Sequence, residues 1–438
     1  NSTRKAYTAG LLTELRSGNN IVQYRYDSKR RLQGVSLNGE DSYLTCTYSG
    51  ENTDNETATV TLANGVKSTS VKNLHGSITK TTVGSQSVTN TYSTTDQKLE
   101  KSVDSVAGTT SYGYNDKGSL TTVSGPGLTE SYTYDDDKKT LQSKAVTSGG
   151  VTHTYQYGHR LTAAKELESI TVDGKVVRPT VDVLGRNTGK TVGTTAQTII
   201  GERISYLKYG DHATNLPGTI RYAKNVNGKM TYTDSTQYRY DCMGNIVEIM
   251  ENGRTSCRYE YDSLGRLTRE DNTESGKTRT YSYDNNGNIL ARYEYPVTAT
   301  PTDELHLLTG SCTRYEYAVD SDRLLTYGDE TFAYDAIGNP TTYRGKAATW
   351  QLGRQLAAFD GNTFTYNAGG RRTKKNSITF SYDSAGNLIK QSNGLEFFYD
   401  HTGIFAIKHG GSTYYCRKNA QNDVRFLLDS TGAVVVKY

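Results

Sequence analysis

One tryptophan and eight phenylalanines are all that this 438-residue chain holds of the two least polar aromatic side chains. Leu, Ile, Val and Phe together number about 80, roughly 18% of the residues, too few for a thick globular interior. So lean a composition points to disorder only when net charge is also high, and this chain carries just +4. The same mild balance excludes the electrostatic footprint of a nucleic-acid binder. No run of 18 apolar residues occurs, so no helix of this sequence spans a bilayer. The opening Asn1-Ser2-Thr3-Arg4-Lys5 holds no apolar leader segment. With no initial methionine, and with a strand-like Val434-Val435-Val436-Lys437-Tyr438 at its end, the chain reads as an excerpt of something longer.

Cysteine is equally uninformative. Cys46, Cys242, Cys257, Cys312 and Cys416 are scattered, odd in number and free of any Cys-x-x-Cys, which excludes a zinc ribbon and a complete disulfide framework. A Cys242–Cys257 bridge and free thiols both remain open, with free thiols favoured. The seven histidines (75, 153, 159, 212, 306, 401 and 409) form no His-Glu-x-x-His, and no Gly-x-Ser-x-Gly accompanies them. Gly185-Arg186-Asn187-Thr188-Gly189-Lys190-Thr191 resembles a phosphate loop but is one residue short between its glycines. Asp284-Asn285-Asn286-Gly287-Asn288 resembles a calcium loop, but the position that should carry its closing glutamate is Tyr295. The basic run Arg371-Arg372-Thr373-Lys374-Lys375 follows a turn and reads as a solvated strand face. No catalytic residue, cofactor or metal ligand is assigned.

What the chain has in abundance is tyrosine, 35 of them, set in a recurring phrase. Tyr-x-Tyr-Asp-x-x-Gly-Asn-Ile at Tyr238–Ile246 returns at Tyr259–Leu267 and Tyr281–Ile289. Later copies put phenylalanine first, at Phe332, Phe364, Phe380 and Phe397, four of the eight in the chain. A short phrase recurring every 16 to 22 residues means one supersecondary unit copied along an array. Aspartate suits the first position of a type I turn, and glycine the left-handed position that closes it, so each copy predicts a β-hairpin with a G1 bulge. In that geometry Asp262 faces Arg266 and Tyr261 faces Leu267, with Tyr259 on the same face as both. The residues assigned to this structural role are Tyr240, Asp241, Gly244, Tyr261, Asp262, Gly265, Tyr283, Asp284, Gly287, Tyr334, Asp335, Gly338, Tyr382, Asp383, Gly386, Tyr399, Asp400 and Gly403. Blurred copies lie upstream: Arg30 and Lys138 stand where the glycine belongs after Tyr26-Asp27 and Tyr134-Asp135. The predicted fold class is all-β, with hairpins zipping side by side into one curved sheet.

These copies resemble the YD or RHS repeats, and the resemblance runs over essentially the whole chain. Further phrases carry it: Tyr261-Asp262-Ser263-Leu264-Gly265-Arg266-Leu267-Thr268-Arg269-Glu270-Asp271-Asn272, Gly338-Asn339-Pro340-Thr341, and Trp350-Gln351-Leu352-Gly353-Arg354-Gln355-Leu356. The tail Tyr414–Val424 is similar to the start of an RHS-associated core. Membership implies a spiralling, hollow β-shell, as in Gram-positive polymorphic toxins, insecticidal toxin complexes and teneurins. Its division here would be a degenerate repeat region (1–200), regular repeats (201–295), a loop or insertion with following strands (296–332), and short-period repeats running into the core (333–438), all one continuous shell. The resemblance further implies a secreted or surface-displayed bacterial scaffold without catalysis, whose partner is a C-terminal toxin domain of the same polypeptide, absent here. The alternative is a surface adhesin whose tyrosines stack on cell-surface glycans.

Overall fold

The computed structural model describes residues 3–18, 20–160, 166–319 and 321–438. Asn1 and Ser2 of the opening segment lie outside the described residues. The chain is all-β: strands mostly of four to eight residues, reaching fifteen at His212–Val226, alternate with turns and pair antiparallel with their sequence neighbours, in two sheets that divide between Thr331 and Ala333 among the described residues. The 296–332 interval contributes a single 3-10 turn at Thr302–Leu307 before the strands resume. All five cysteines are free, so no Cys242–Cys257 bridge exists.

Two compact units result, each assembled from separated segments. The first takes residues 1–111, 279–295 and 302–377; the second takes 112–278, 296–301 and 378–438. In the first unit, late turns cap early strands. Arg354 donates to the Tyr43 hydroxyl and to the Ile337 carbonyl, each at 2.8 Å, while the amides of Ala368 and Gly369 donate to the Asp104 carboxylate at 3.1 and 3.2 Å. In the second unit, Val172, Val177, Val192 and Ile200 pack against Phe398, Phe405, Ala406 and Leu428 in one apolar cluster. A smaller cluster gathers Ile220, Tyr222 and Tyr238.

The local rule is clearest at residues 259–267. The Gly265 amide donates to the Asp262 carbonyl and the Asp262 amide to the Arg266 carbonyl, both at 2.9 Å. Gly265 closes the turn at φ +76°, and Tyr261 then pairs with Leu267. Arg30 (φ +68°) and Lys138 (φ +58°) adopt the same left-handed conformation without being glycine, so the blurred copies keep the corner.

Each turn is followed by a slip that the motif does not announce. Glu260 pairs with Arg269 and Tyr261 with Leu267, leaving Thr268 bulged. The same slip skips Val247 after Tyr240, Gln33 after Tyr26 and Ile389 after Tyr382. It increases twist on the outgoing strand.

The tyrosine hydroxyl has a structural task. Pairing between Ile246–Glu251 and the next strand stops at Glu248–Arg258, two residues short of Ile246. The Ile246 carbonyl is met instead by the Tyr261 hydroxyl at 2.8 Å. The bond repeats from Tyr134 to Leu120 (2.6 Å), Tyr48 to Leu32 (2.8 Å), Tyr366 to Leu356 (3.0 Å) and Tyr399 to Leu388 (2.9 Å). Trp350 substitutes its indole N–H, donating to the Pro340 carbonyl at 2.8 Å. Phenylalanine could fill the ring's volume but could not satisfy that carbonyl, which accounts for the excess of tyrosine. Tyr261→Phe is expected to lower stability by about 1–2 kcal/mol, measured by urea unfolding, with the far-UV spectrum unchanged.

Candidate functional site

The repeat aspartates bind their own turns. Asp262 Oδ1 accepts the amides of Leu264 and Arg266 at 2.9 Å each, and Oδ2 accepts Arg266 Nε at 2.6 Å. Asp241, Asp284 and Asp335 do the same, with Asn245, Asn288 and Asn339 in the arginine's place. The Arg266 backbone amide foremost for Asp262, and the Asn245 side chain foremost for Asp241, hold these carboxyls below the ordinary 3.8 against the opposing pull of burial. Gly244, Gly287, Gly338 and Gly386 sit at φ between +84° and +95° in the corresponding corners. Tyr240, Tyr283, Tyr334 and Tyr382 end the incoming strands.

The last two aspartates depart from this. Asp383 keeps its turn, with Asn387 donating to Oδ2 at 3.0 Å, but that oxygen also accepts Lys144 Nζ at 3.0 Å from a strand 239 residues away. At Tyr399-Asp400 the corner is tighter. Asp400 pairs directly with Gly403 across a two-residue loop, His401-Thr402, with Gly403 at φ +104°. Asp400 is thereby released to point into the second unit.

There, polar contacts tie the strands of 378–438 to those of 112–278, among them those made by the buried Glu130, Lys190 and Arg417. In the first, Glu130, whose side chain is fully buried, accepts from the Ser384 amide at 2.9 Å, from the Ser384 hydroxyl and from the Tyr132 hydroxyl at 2.6 Å; Lys144 lies 3.6 Å away. In the second, Lys190 donates to Asp400 Oδ2 at 2.7 Å and to Thr402 Oγ1 at 2.9 Å. Asp400 Oδ1 accepts the Thr402 amide at 2.7 Å and the Thr402 hydroxyl at 2.6 Å. In the third, Arg417 donates to Asp234 at 3.0 Å while its guanidinium lies 3.7 Å from the Tyr222 ring centre.

Around Lys190 the charges are dense, with the Asp400 side chain buried and Glu202 half-buried. Glu202 is its cross-strand partner, and burial pushes the Glu202 carboxyl up against the pull of Lys190. Burial opposes the ionisation of Asp400, yet the Lys190 charge and the hydrogen bonds hold its carboxyl below the ordinary value. Lys418 is pushed down by burial and by Lys190, and burial raises the Cys416 thiol to about 11. A cavity of about 370 Å³ opens beside Lys190 and Glu202, lined also by Tyr222, Cys416, Arg417 and Leu428.

Of the repeat-motif residues singled out from sequence, Asp383 and Asp400 take part in these contacts, and the Tyr382 carbonyl accepts from the Ser148 hydroxyl at 3.0 Å. Lys144, Glu130, Lys190, Glu202, Asp234 and Arg417 were all missed. One local signal existed: Lys190 sits two positions from buried Val192, on the inward face of the strand Asn187–Thr194. The phosphate-loop-like segment is thus turn and strand, with Gly185 at the corner and Gly189 inside the sheet.

Residues 261–296 match the family model described as RHS Repeat. Double-stranded DNA deaminase toxin A of Burkholderia cenocepacia (strain H111) is 31% identical over 107 residues, which are 24% of this chain and 6% of that protein. Among solved structures, TcdB2-TccC3 without hypervariable C-terminal region is similar at 13% identity and TM-score 0.42, covering 95% of this chain and 30% of that one. TcdB2-TccC3-TEV is similar at 12% identity and TM-score 0.41, covering all of this chain and 32% of that one. The chain therefore spans about a third of the solved chains, and its match spans a small part of the curated relative.

Proposed function

We propose that this RHS-repeat chain is a non-catalytic wall of a toxin-associated shell, from a secreted or surface-displayed bacterial protein. Its work is to keep a C-terminal toxin segment of the same polypeptide away from solvent and from other proteins until delivery. The observation that carries the reading is the commitment of the repeat chemistry to architecture. The turn carboxylates accept their own backbone amides, and the tyrosine hydroxyls close the next hairpin's missing ladder bond. Side chains spent this way are held as acceptors and donors within the sheet and are not poised for acid, base or nucleophilic work. A wall also needs long antiparallel pairing with few unpaired backbone groups, and the hairpin array supplies it.

The division into 1–200, 201–295, 296–332 and 333–438 belongs to this proposal as successive arcs of one wall. Electron micrographs of the full-length parent protein are expected to show a closed particle with internal density. A solid rod without a lumen would sink the reading.

A further inference from the structure

We propose that Lys190 and Asp400 condense spontaneously into an intramolecular isopeptide bond, with Glu202 as the proton donor and acceptor. The inference rests on three side chains brought together from three strands. Lys190, 5% exposed, stands on the strand Asn187–Thr194, and Glu202 faces it from the paired strand Thr198–Tyr209. Asp400, with no side-chain exposure, reaches the same point from 210 residues away and places Oδ2 at 2.7 Å from Lys190 Nζ. That contact holds the amine against the carboxyl group it would attack, and reactants fixed in this way reach effective molarities on the order of 10⁵ M or more.

The rest of the site fits the reaction. Asp400 Oδ1 is gripped by the Thr402 amide and hydroxyl, two donors aimed at the oxygen that becomes an oxyanion on attack. Glu202 has no hydrogen-bond or ion-pair partner among the described residues, and burial favours its protonated form. The groups facing Lys190 are Asp400, Glu202, Thr402 and, within electrostatic reach, His401, Cys416 and the ammonium of Lys418. Lys418 is itself anchored by donating to the Thr402 carbonyl at 3.1 Å.

The step balances without a co-reactant. A proton moves from the Lys190 ammonium to Asp400 Oδ2, and the freed nitrogen lone pair attacks Cγ. Glu202 gives its proton to Oδ2, which leaves as water into the adjoining cavity. The Glu202 carboxylate then takes the surplus proton from the nitrogen. One N–C bond forms, one C–O bond breaks, one water departs, and nothing is oxidised or reduced.

Lys144, Asp383 and Glu130 form a second Lys–Asp–Glu group in the same unit, and it provides the contrast. Glu130 already accepts three hydrogen bonds, from Ser384 twice and from Tyr132, so it is fixed as an acceptor. Asp383 remains tied to Asn387. This group is assigned as an ion pair only.

The test is the intact mass of the whole chain after denaturation. Wild type is expected about 18 Da below the linear mass, the loss of one water, and proteolysis should release one branched peptide joining the Lys190 and Asp400 segments. Lys190→Arg keeps the charge but should show the linear mass, and Glu202→Gln should slow or abolish the loss. A folded wild type of linear mass overturns the proposal, and so does a branch found at Lys144–Asp383. Glu202→Gln cross-linking at the wild-type rate removes Glu202 from the mechanism. The wild-type mass alone decides whether the bond forms, so a variant that fails to fold does not alter that result.

Discussion

Glu130→Ala is expected to destabilise the second unit by about 3–5 kcal/mol, the range found when one partner of a buried ionic network is removed. The carboxylate has no side-chain exposure and takes hydrogen bonds from the Ser384 amide, the Ser384 hydroxyl and the Tyr132 hydroxyl, with Lys144 at 3.6 Å. Truncation strips the partner from a backbone amide and from two hydroxyls at once. It also leaves Lys144, 13% exposed, with Asp383 as its one remaining carboxylate there. Lost hydrogen bonds alone would cost about 1 kcal/mol each; the half-buried Tyr132 hydroxyl and the mostly buried Lys144, each losing a carboxylate partner, make up the rest. The loss should concentrate where residues 384–387 meet the strand Leu128–Tyr134, seen as faster amide exchange in that turn. Glu130→Gln separates the causes, since it can accept at one oxygen while losing its charge. Its cost should fall between wild type and alanine. If Glu130→Ala unfolds at the wild-type denaturant concentration, this contact does not hold the two segments together.

The all-β class was legible because it depends on short-range rules. Asp262 and Gly265 bend the chain within a few residues, and alternation places Tyr259 and Tyr261, both half-buried, opposite exposed Arg258 and Glu260. The bulge at Thr268 was not legible, since the bulged positions range from polar Gln33 and Thr268 to apolar Val247 and Ile389 and no single residue type marks them. The hydroxyl ladder was hidden for a related reason. Tyr261 donates to Ile246 only because the intervening pairing stops two residues short, a matter of register between hairpins. Arg30 and Lys138 show local preference overruled: hairpin pairing on both sides imposes a left-handed φ on residues that disfavour it. The polar seam was furthest from view. Its contacts join residues 210 and 239 positions apart, and although alternation puts Lys190 on the inward face beside Val192, nothing local names the carboxylate that Lys190 or Lys144 meets.

Gly189→Ala is expected to be among the most damaging single substitutions, leaving the second unit unfolded or insoluble on expression. In a phosphate loop this glycine would let a ligand approach the backbone. In the sheet it lets another strand approach instead. A Cβ at Gly189 would collide with the carbonyl oxygen of Glu202 and lie 2.8 Å from that carbonyl carbon and 3.0 Å from Arg203 Cα. All three are backbone atoms of the paired strand, so no rotamer change relieves the overlap. The φ of +132° adds a conformation that side-chain-bearing residues rarely adopt. Relief requires the strands Asn187–Thr194 and Thr198–Tyr209 to part, moving Lys190 away from Glu202 and from Asp400. The cost should exceed about 3 kcal/mol, the level reserved for strain, overpacking or loss of a buried network. Gly185→Ala offers the control. Gly185 also has a positive φ, +74°, but a Cβ there meets nothing, so only the turn's conformational cost of about 1 kcal/mol is expected. Thermal melts of the two variants should therefore separate widely. Equal melting temperatures would mean that strand contact at Gly189 is not what requires glycine, and the close approach at the heart of the Lys190 site would lose its support.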